Sequence, residues 1–246
     1  MLEDVIQVGL VMMAAYGFQS AIGFAGGLLS IPLLVSLGYT LPMAIEMNLV
    51  AALIQSAMSS YKLRKDVPWQ VVKLPALLRF FALFAGMAVL FSIQDLDKAI
   101  IKRWVGIAVL SLTLLQLLVR PTPRENVALA WTILAGLTSG FCLGLVGMGG
   151  PPLVLWAMAH NWSSEKTRGA LFAAYIPGTI GGAVVGPIIF GEQVLYSACV
   201  TLIATPIILA GVPIGMWVGK KIPKPKLQAM AYVTLVLVSF KAILAA

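Results

Sequence analysis

Met148-Gly149-Gly150-Pro151-Pro152 is a poor sequence for an unbroken helix, yet it sits inside an apolar run from Val127 to Met158. The glycines loosen the backbone, and the prolines lack the N–H that would bond the turn before them. Proline is at home in the first turn of a helix, so the stretch reads as one helix ending and another beginning. Gly23-Phe24-Ala25-Gly26-Gly27 makes a similar break in the first half of the chain. At membrane depth the free N–H groups of such a break are tolerable only beside protein, water or a bound ion.

Composition places the chain in a membrane. Of 246 residues, 60% are hydrophobic and 11% charged, with mean hydropathy +0.97. Soluble domains average about 45–50% apolar and about 25% charged. The formal charge of +8 does not point to nucleic acid, because the basic residues lie between apolar segments rather than along an amphipathic face. The lipid bilayer is the expected partner. Acidic Met1-Leu2-Glu3-Asp4 is unlike a signal peptide, so the first apolar run reads as a retained helix. Cys142 and Cys199 fall in apolar runs and behave as small hydrophobes.

A spanning helix needs about 20 predominantly apolar residues. The candidates are Val5–Ile22, a short Leu28–Leu37, Pro42–Tyr61, Gln70–Phe91, Ala99–Val119, Val127–Val146, a short Pro151–His160, Lys166–Phe190, Tyr196–Val218 and Leu227–Ala245. Pro177, Pro206 and Pro213 should kink the spans that hold them. Arg120, Pro121, Pro123 and Arg124 divide the chain without a soluble linker, so it forms a single transmembrane domain of two repeats, about 1–119 and about 127–246.

A shift of 124 positions lays Gly23, Ala25 and Gly26 on Gly147, Gly149 and Gly150, Gln55 on Thr179, and Thr40 on Ser164 as N-caps. Each half reads as a long segment, a glycine break, a short segment and three longer spans. Whether the first two segments form a re-entrant hairpin or two crossings, each half crosses an odd number of times. The second half is then inverted relative to the first. The expected fold is an all-α integral membrane protein of two inverted repeats with glycine-broken or re-entrant helices. In that arrangement eleven basic residues between Lys62 and Lys226 share one face, against Lys98, Lys102, Arg103 and Lys241 on the other. The bias makes the first face cytoplasmic and puts both termini outside.

Glycine recurs every fourth residue at Gly136, Gly140 and Gly144, at Gly178, Gly182 and Gly186, and at Gly211, Gly215 and Gly219. Such ridges let helix backbones approach closely, and packing within the chain is the expected use, with a homodimer contact the alternative.

A half-helix whose N-terminus points into the bilayer presents free N–H groups and about half a positive charge. Two such ends meeting from opposite sides make an anion site without lysine. The candidate substrate residues are Gly23, Ala25, Gly26, Gly27, Gly147, Gly149, Gly150 and Pro151 at the breaks. Four polar residues within apolar spans join them: Gln19, Asn48, Gln55 and Thr179, which either bind the anion's oxygens or knit helices together. Arg79 is the remaining candidate. It either balances the anion's charge or snorkels towards the headgroups, and Lys73 earlier on the same helix tips the reading towards snorkelling. Glu46 either carries a coupling proton or reaches the outer interface. His160, the sole histidine, reads as interfacial beside Asn161 and Trp162. An enzyme has little to stand on here: no second histidine for a metal cluster, no nucleophile with a base, and no nucleotide loop. No cofactor is expected.

Gly23-Phe-Ala-Gly-Gly-Leu-Leu-Ser-Ile-Pro32, its echo at Gly147-Met-Gly-Gly-Pro-Pro-Leu-Val and the half-repeat layout resemble the sulfite exporter TauE/SafE family over essentially the whole chain. The resemblance implies a bacterial inner-membrane permease for sulfur-containing anions such as sulfite, sulfoacetate or other organosulfonates, held at the two glycine stretches. The expected function is a secondary transporter of such an anion by alternating access, with a coupling ion as a further possible partner. An anion channel and a non-transporting scaffold are the alternatives.

Overall fold

A computed structural model describes residues 1–22, 25–119 and 121–222, with 229–230, 232–237 and 239–240 of the C-terminal segment. Gly23, Arg120 and much of the expected Leu227–Ala245 span lie outside the described residues. The chain folds as α1 (Leu2–Ile22), α2 (Gly26–Ser36), α3 (Leu41–Lys62), α4 (Trp69–Ile93), α5 (Lys98–Leu118), α6 (Leu129–Val146), α7 (Gly150–Met158), α8 (Ser164–Phe190), α9 (Glu192–Ile203) and α10 (Thr205–Lys221). Among the described residues, α3, α4, α5, α6 and α8 are long and apolar enough to cross a membrane, and the bent pair α9–α10 gives a sixth candidate if taken as one span.

Both expected breaks are present. Gly147, at φ 71°, ends α6 with a left-handed cap whose N–H donates to the Leu143 carbonyl at 2.9 Å. The chain doubles back, and α7 starts three residues beyond, at Gly150, with Pro151 in its first turn. In the first half, α2 starts after Ala25, which holds φ 84°, a left-handed conformation that only glycine adopts without strain.

Each short helix returns along the helix before it. After α2, the Tyr39 hydroxyl reaches Asp4 Oδ1 at 3.2 Å and Gln7 Oε1 at 3.1 Å, near the start of α1. Burial, and then the Asp4 carboxylate, push the Tyr39 phenol up to about 12, so it remains a donor across the neutral range. At the other hairpin, Trp156 Nε1 on α7 donates to Thr132 Oγ1 near the start of α6 at 3.0 Å. The Arg124 N–H donates to the Ala159 carbonyl at 2.9 Å, and the Asn161 N–H to the Arg124 carbonyl at 3.0 Å. Both units are helical hairpins.

The hairpins lock into the opposite half of the chain. Helix α6 packs along α4, α1 packs along α10, and α3 packs against α8 between them. Glycine makes the first two contacts possible. A Cβ on Gly140 or Gly144 would overlap the Arg79 or Leu83 carbonyl oxygen, and one on Gly215 would overlap that of Gly17. A Cβ on Gly182 would stand 2.7 Å from Leu49 on α3. The ridges are therefore used within the chain, as the small-residue spacing indicates.

The expected kink at Pro206 is present: the segment Tyr196–Val218 is two helices meeting at 55°, with Pro206 in the first turn of α10, while Pro177 and Pro213 lie inside α8 and α10. Pro206 has no N–H to donate back across Ala204. The cap of α8 is Ser163 rather than Ser164: its Oγ accepts from the Lys166 N–H at 3.2 Å. Thr40 caps α3 as expected, accepting from the Met43 N–H at 3.4 Å.

Candidate functional site

The two breaks meet. Asn48 on α3 donates from Nδ2 to the Gly147 carbonyl at 3.1 Å, and a Cβ on Gly27 would stand 3.0 Å from that same oxygen. Beside this junction is a cavity of about 60 Å³. That is room for about four water molecules. Its wall takes Gln19, Ala25, Gly26, Gly27, Asn48, Arg79, Gly147, Gly149, Gly150, Pro151 and Thr179 from the residues singled out in the sequence. Gln55 stands behind the wall. Its Oε1 accepts from Gln19 Nε2, and its own Nε2 donates to Ser20 Oγ at 2.9 Å, which is the knitting role.

The first break is braced by amides. Gln19 Oε1 accepts the Gly26 N–H at 2.8 Å, taking one of the orphan donors at the start of α2. Asn48 Oδ1 accepts from the Ser30 hydroxyl at 3.0 Å and lies 2.9 Å from the Tyr16 hydroxyl, so one side chain joins α1, α2 and α3 to the second break. The Thr179 hydroxyl donates into its own helix, to the carbonyl of Tyr175 or Ile176 at 3.0 Å.

Arg79 decides the electrostatics of the second break. It does not snorkel: the side chain is 3% exposed and points into the protein. Its Nη1 donates to the Gly149 carbonyl at 3.0 Å and to Ser139 Oγ, and Ser139 Oγ in turn donates to the same carbonyl. The guanidinium lies over the Tyr175 ring at 4.9 Å. Its Nε has no hydrogen-bond partner among the described residues. A trans peptide points its N–H opposite its C=O. With the Gly149 carbonyl turned towards Arg79, the following Gly150 N–H faces the other way and has no acceptor among the described residues. Pro151 and Pro152 have no N–H, so α7 offers fewer backbone donors than a helix start usually does. Arg79 supplies positive charge there instead. It is the cation on the cavity wall among the described residues.

Two other charged or titratable residues are buried. Glu46 is 1% exposed and off the cavity wall, with Oε1 unpartnered among the described residues and Gly186 packed against its carboxyl. His160 is buried against protein. Its Nδ1 lies 3.0 Å from the Trp156 carbonyl, and its ring stacks on Trp162 at 3.9 Å.

The structure adds Tyr16, Gln116, Met148 and Tyr175 to the wall and Ser139 behind it. Tyr16 lies one turn before Gln19 and Tyr175 one turn before Thr179, each on the same helix face as a residue already singled out. Gln116 met the criterion applied to Asn48, a polar residue in an apolar span, and was readable on that ground.

Residues 8–242 match the family model described as Sulfite exporter TauE/SafE. No curated protein and no solved structure matches the chain.

Proposed function

The chain belongs to the sulfite exporter TauE/SafE family of multi-pass membrane transporters, and from that premise we propose that it is a secondary transporter holding a sulfite-sized anion between its two helix breaks. The observation that carries this reading is Arg79: a buried guanidinium, with Nε unpartnered, on the wall of a cavity where two glycine breaks touch. The unpaired Gly150 N–H adds a donor that carries no side-chain charge. The size of the cavity favours a compact oxyanion over a long sulfonate.

Depth supports the same reading. Ser139 is ten residues into α6, roughly 15 Å at 1.5 Å per residue, about half of a 30 Å hydrocarbon core. Arg79 is ten residues into α4 and reaches the same level through Ser139. The hairpins are then re-entrant elements entering from opposite faces, with the basic 119–128 connection cytoplasmic and both termini outside, as charge bias favours. Exchange of the halves relates α4·α6 to α10·α1 and sets α3 against α8, the pattern that two inverted repeats produce. Alternating access follows as the rocking of one hairpin-bearing half against the other.

Counterflow in proteoliposomes tests the function. A carrier loaded with unlabelled sulfite accumulates labelled sulfite transiently; simple equilibration without overshoot would make it a channel and overturn the proposal. Gly150→Val tests the site. A Cβ there meets only the Tyr175 hydroxyl, at 3.7 Å, so the side chain enters the cavity with little cost to the fold. Sulfite affinity in the variant should fall at least about tenfold, the scale of one lost charge-assisted hydrogen bond, at a nearly unchanged melting temperature. Wild-type affinity in this variant would place the anion elsewhere.

A further inference from the structure

Gln116 lies near the end of α5 and has no part in the bracing described above. It is 8% exposed, it lines the cavity, and neither Oε1 nor Nε2 has a hydrogen-bond partner among the described residues. A buried primary amide with both ends unsatisfied is costly and calls for an occupant. Tyr16, Gln19, Asn48 and Thr179 on the same wall are all engaged within the protein. The open positions at the cavity therefore include the Gln116 amide and Arg79 Nε, beside the Gly150 N–H.

Those positions describe a ligand. Arg79 balances one negative charge. The Gln116 Nε2 donates to an oxygen, but its Oε1 is an acceptor and repels a second bare oxygen. An oxyanion carrying its own acidic hydrogen satisfies both ends of the amide at once, whereas a fully deprotonated one leaves Oε1 unpaired against its lone pairs. We infer that the site selects the protonated monoanion of a compact oxyanion, hydrogen sulfite over sulfite, and that Gln116 reads the acidic hydrogen. This selection rests on the anion site proposed above. The titratable side chains on the wall are Tyr16 from α1, Arg79 from α4 and Tyr175 from α8. Phenols and guanidinium titrate far above neutrality. Helices α2 and α7, which pack against α5, contain no ionisable residue, and His160 follows α7 within its stack of tryptophans. A pH dependence of binding near neutrality then belongs to the ligand.

The test is sulfite binding to the purified full chain on the acid and alkaline sides of sulfite's own protonation step, in wild type and Gln116→Leu. The leucine removes an unsatisfied amide, so the variant should fold at least as well, which its melting curve checks. Wild-type affinity for total sulfite should fall about tenfold per pH unit above that step, tracking the monoanion. In the folded leucine variant the slope should vanish, with acid-side binding about tenfold weaker or lost. A wild-type affinity independent of pH, or a slope retained in the variant, would overturn the selection and leave the anion site standing. Failure of wild type to bind sulfite at any pH would remove the site reading and this inference with it.

Discussion

Arg79→Gln is expected to lower sulfite affinity by about a hundredfold or more while the protein remains folded. Hydrogen bonds to charged groups contribute about 1.5–3 kcal/mol, and each 1.4 kcal/mol is a factor of ten in binding. Here the lost group is also the cation on the wall among the described residues, so no neighbour replaces its charge. The fold should tolerate the change because Ser139 Oγ independently donates to the Gly149 carbonyl. That oxygen keeps a partner when the guanidinium is gone. Glutamine is shorter and neutral, so it leaves no uncompensated charge in the protein. Arg79→Lys should be nearly as damaging, since an ammonium has no planar fork to hold Ser139, Gly149 and an anion together. Titration of the purified variants with sulfite, beside their melting curves, provides the check. Unchanged affinity in Arg79→Gln would mean that the guanidinium is only a brace for the second break.

Gly144→Val should have the opposite profile, with the fold lost first. The Cβ would overlap the Leu83 carbonyl oxygen and stand 2.8 Å from the Met87 nitrogen, both backbone atoms of α4. A side chain could rotate away; a helix backbone cannot. Gly86 makes the same demand in return, since its Cβ would stand 2.7 Å from the Leu145 nitrogen on α6. The two helices must part, and the Arg79 bridge from α4 to Ser139 and Gly149 parts with them. Overpacking costs typically about 1–3 kcal/mol in cores that can adjust, and a contact between two backbones belongs at the upper end or beyond. The measured outcome should be a sharply lower melting temperature or failure to recover monodisperse protein. A wild-type melting temperature would show that α4 and α6 are not held at this distance in the membrane. With Gly150→Val, the pair separates two uses of glycine: close helix packing at 144 and open space at 150.

The membrane class, both breaks and the helix boundaries to within a few residues were legible in the sequence, because each follows from local chemistry. Apolar runs of spanning length must avoid water, and Gly149-Gly150-Pro151 cannot continue a helix. The predicted Pro42–Tyr61 and Gln70–Phe91 became Leu41–Lys62 and Trp69–Ile93. The kink at Pro206 was legible too, whereas Ser163 against Ser164 was missed because neighbouring residues offered equivalent local choices and three-dimensional packing selected one. The spacing of Asn48 and Gln55 placed them on one helix face but could not distinguish a cavity residue from a brace.

Tertiary structure alone decided how the charge and the amides are used. Arg79 reads locally as a long side chain near a headgroup; its inward path exists because Gly140 lets α6 lie against the backbone of α4 and bring Ser139 and Gly149 within reach. Gln116 reads as one more polar residue near a helix end until α5 turns it onto a cavity whose other walls come from α1, α2, α3, α4, α6, α7 and α8. Sequence determines what each segment can tolerate, since backbone hydrogen bonding and transfer from water are properties of a few neighbouring residues. Which partners meet is a property of close packing between segments far apart in the chain, and no local pattern contains it.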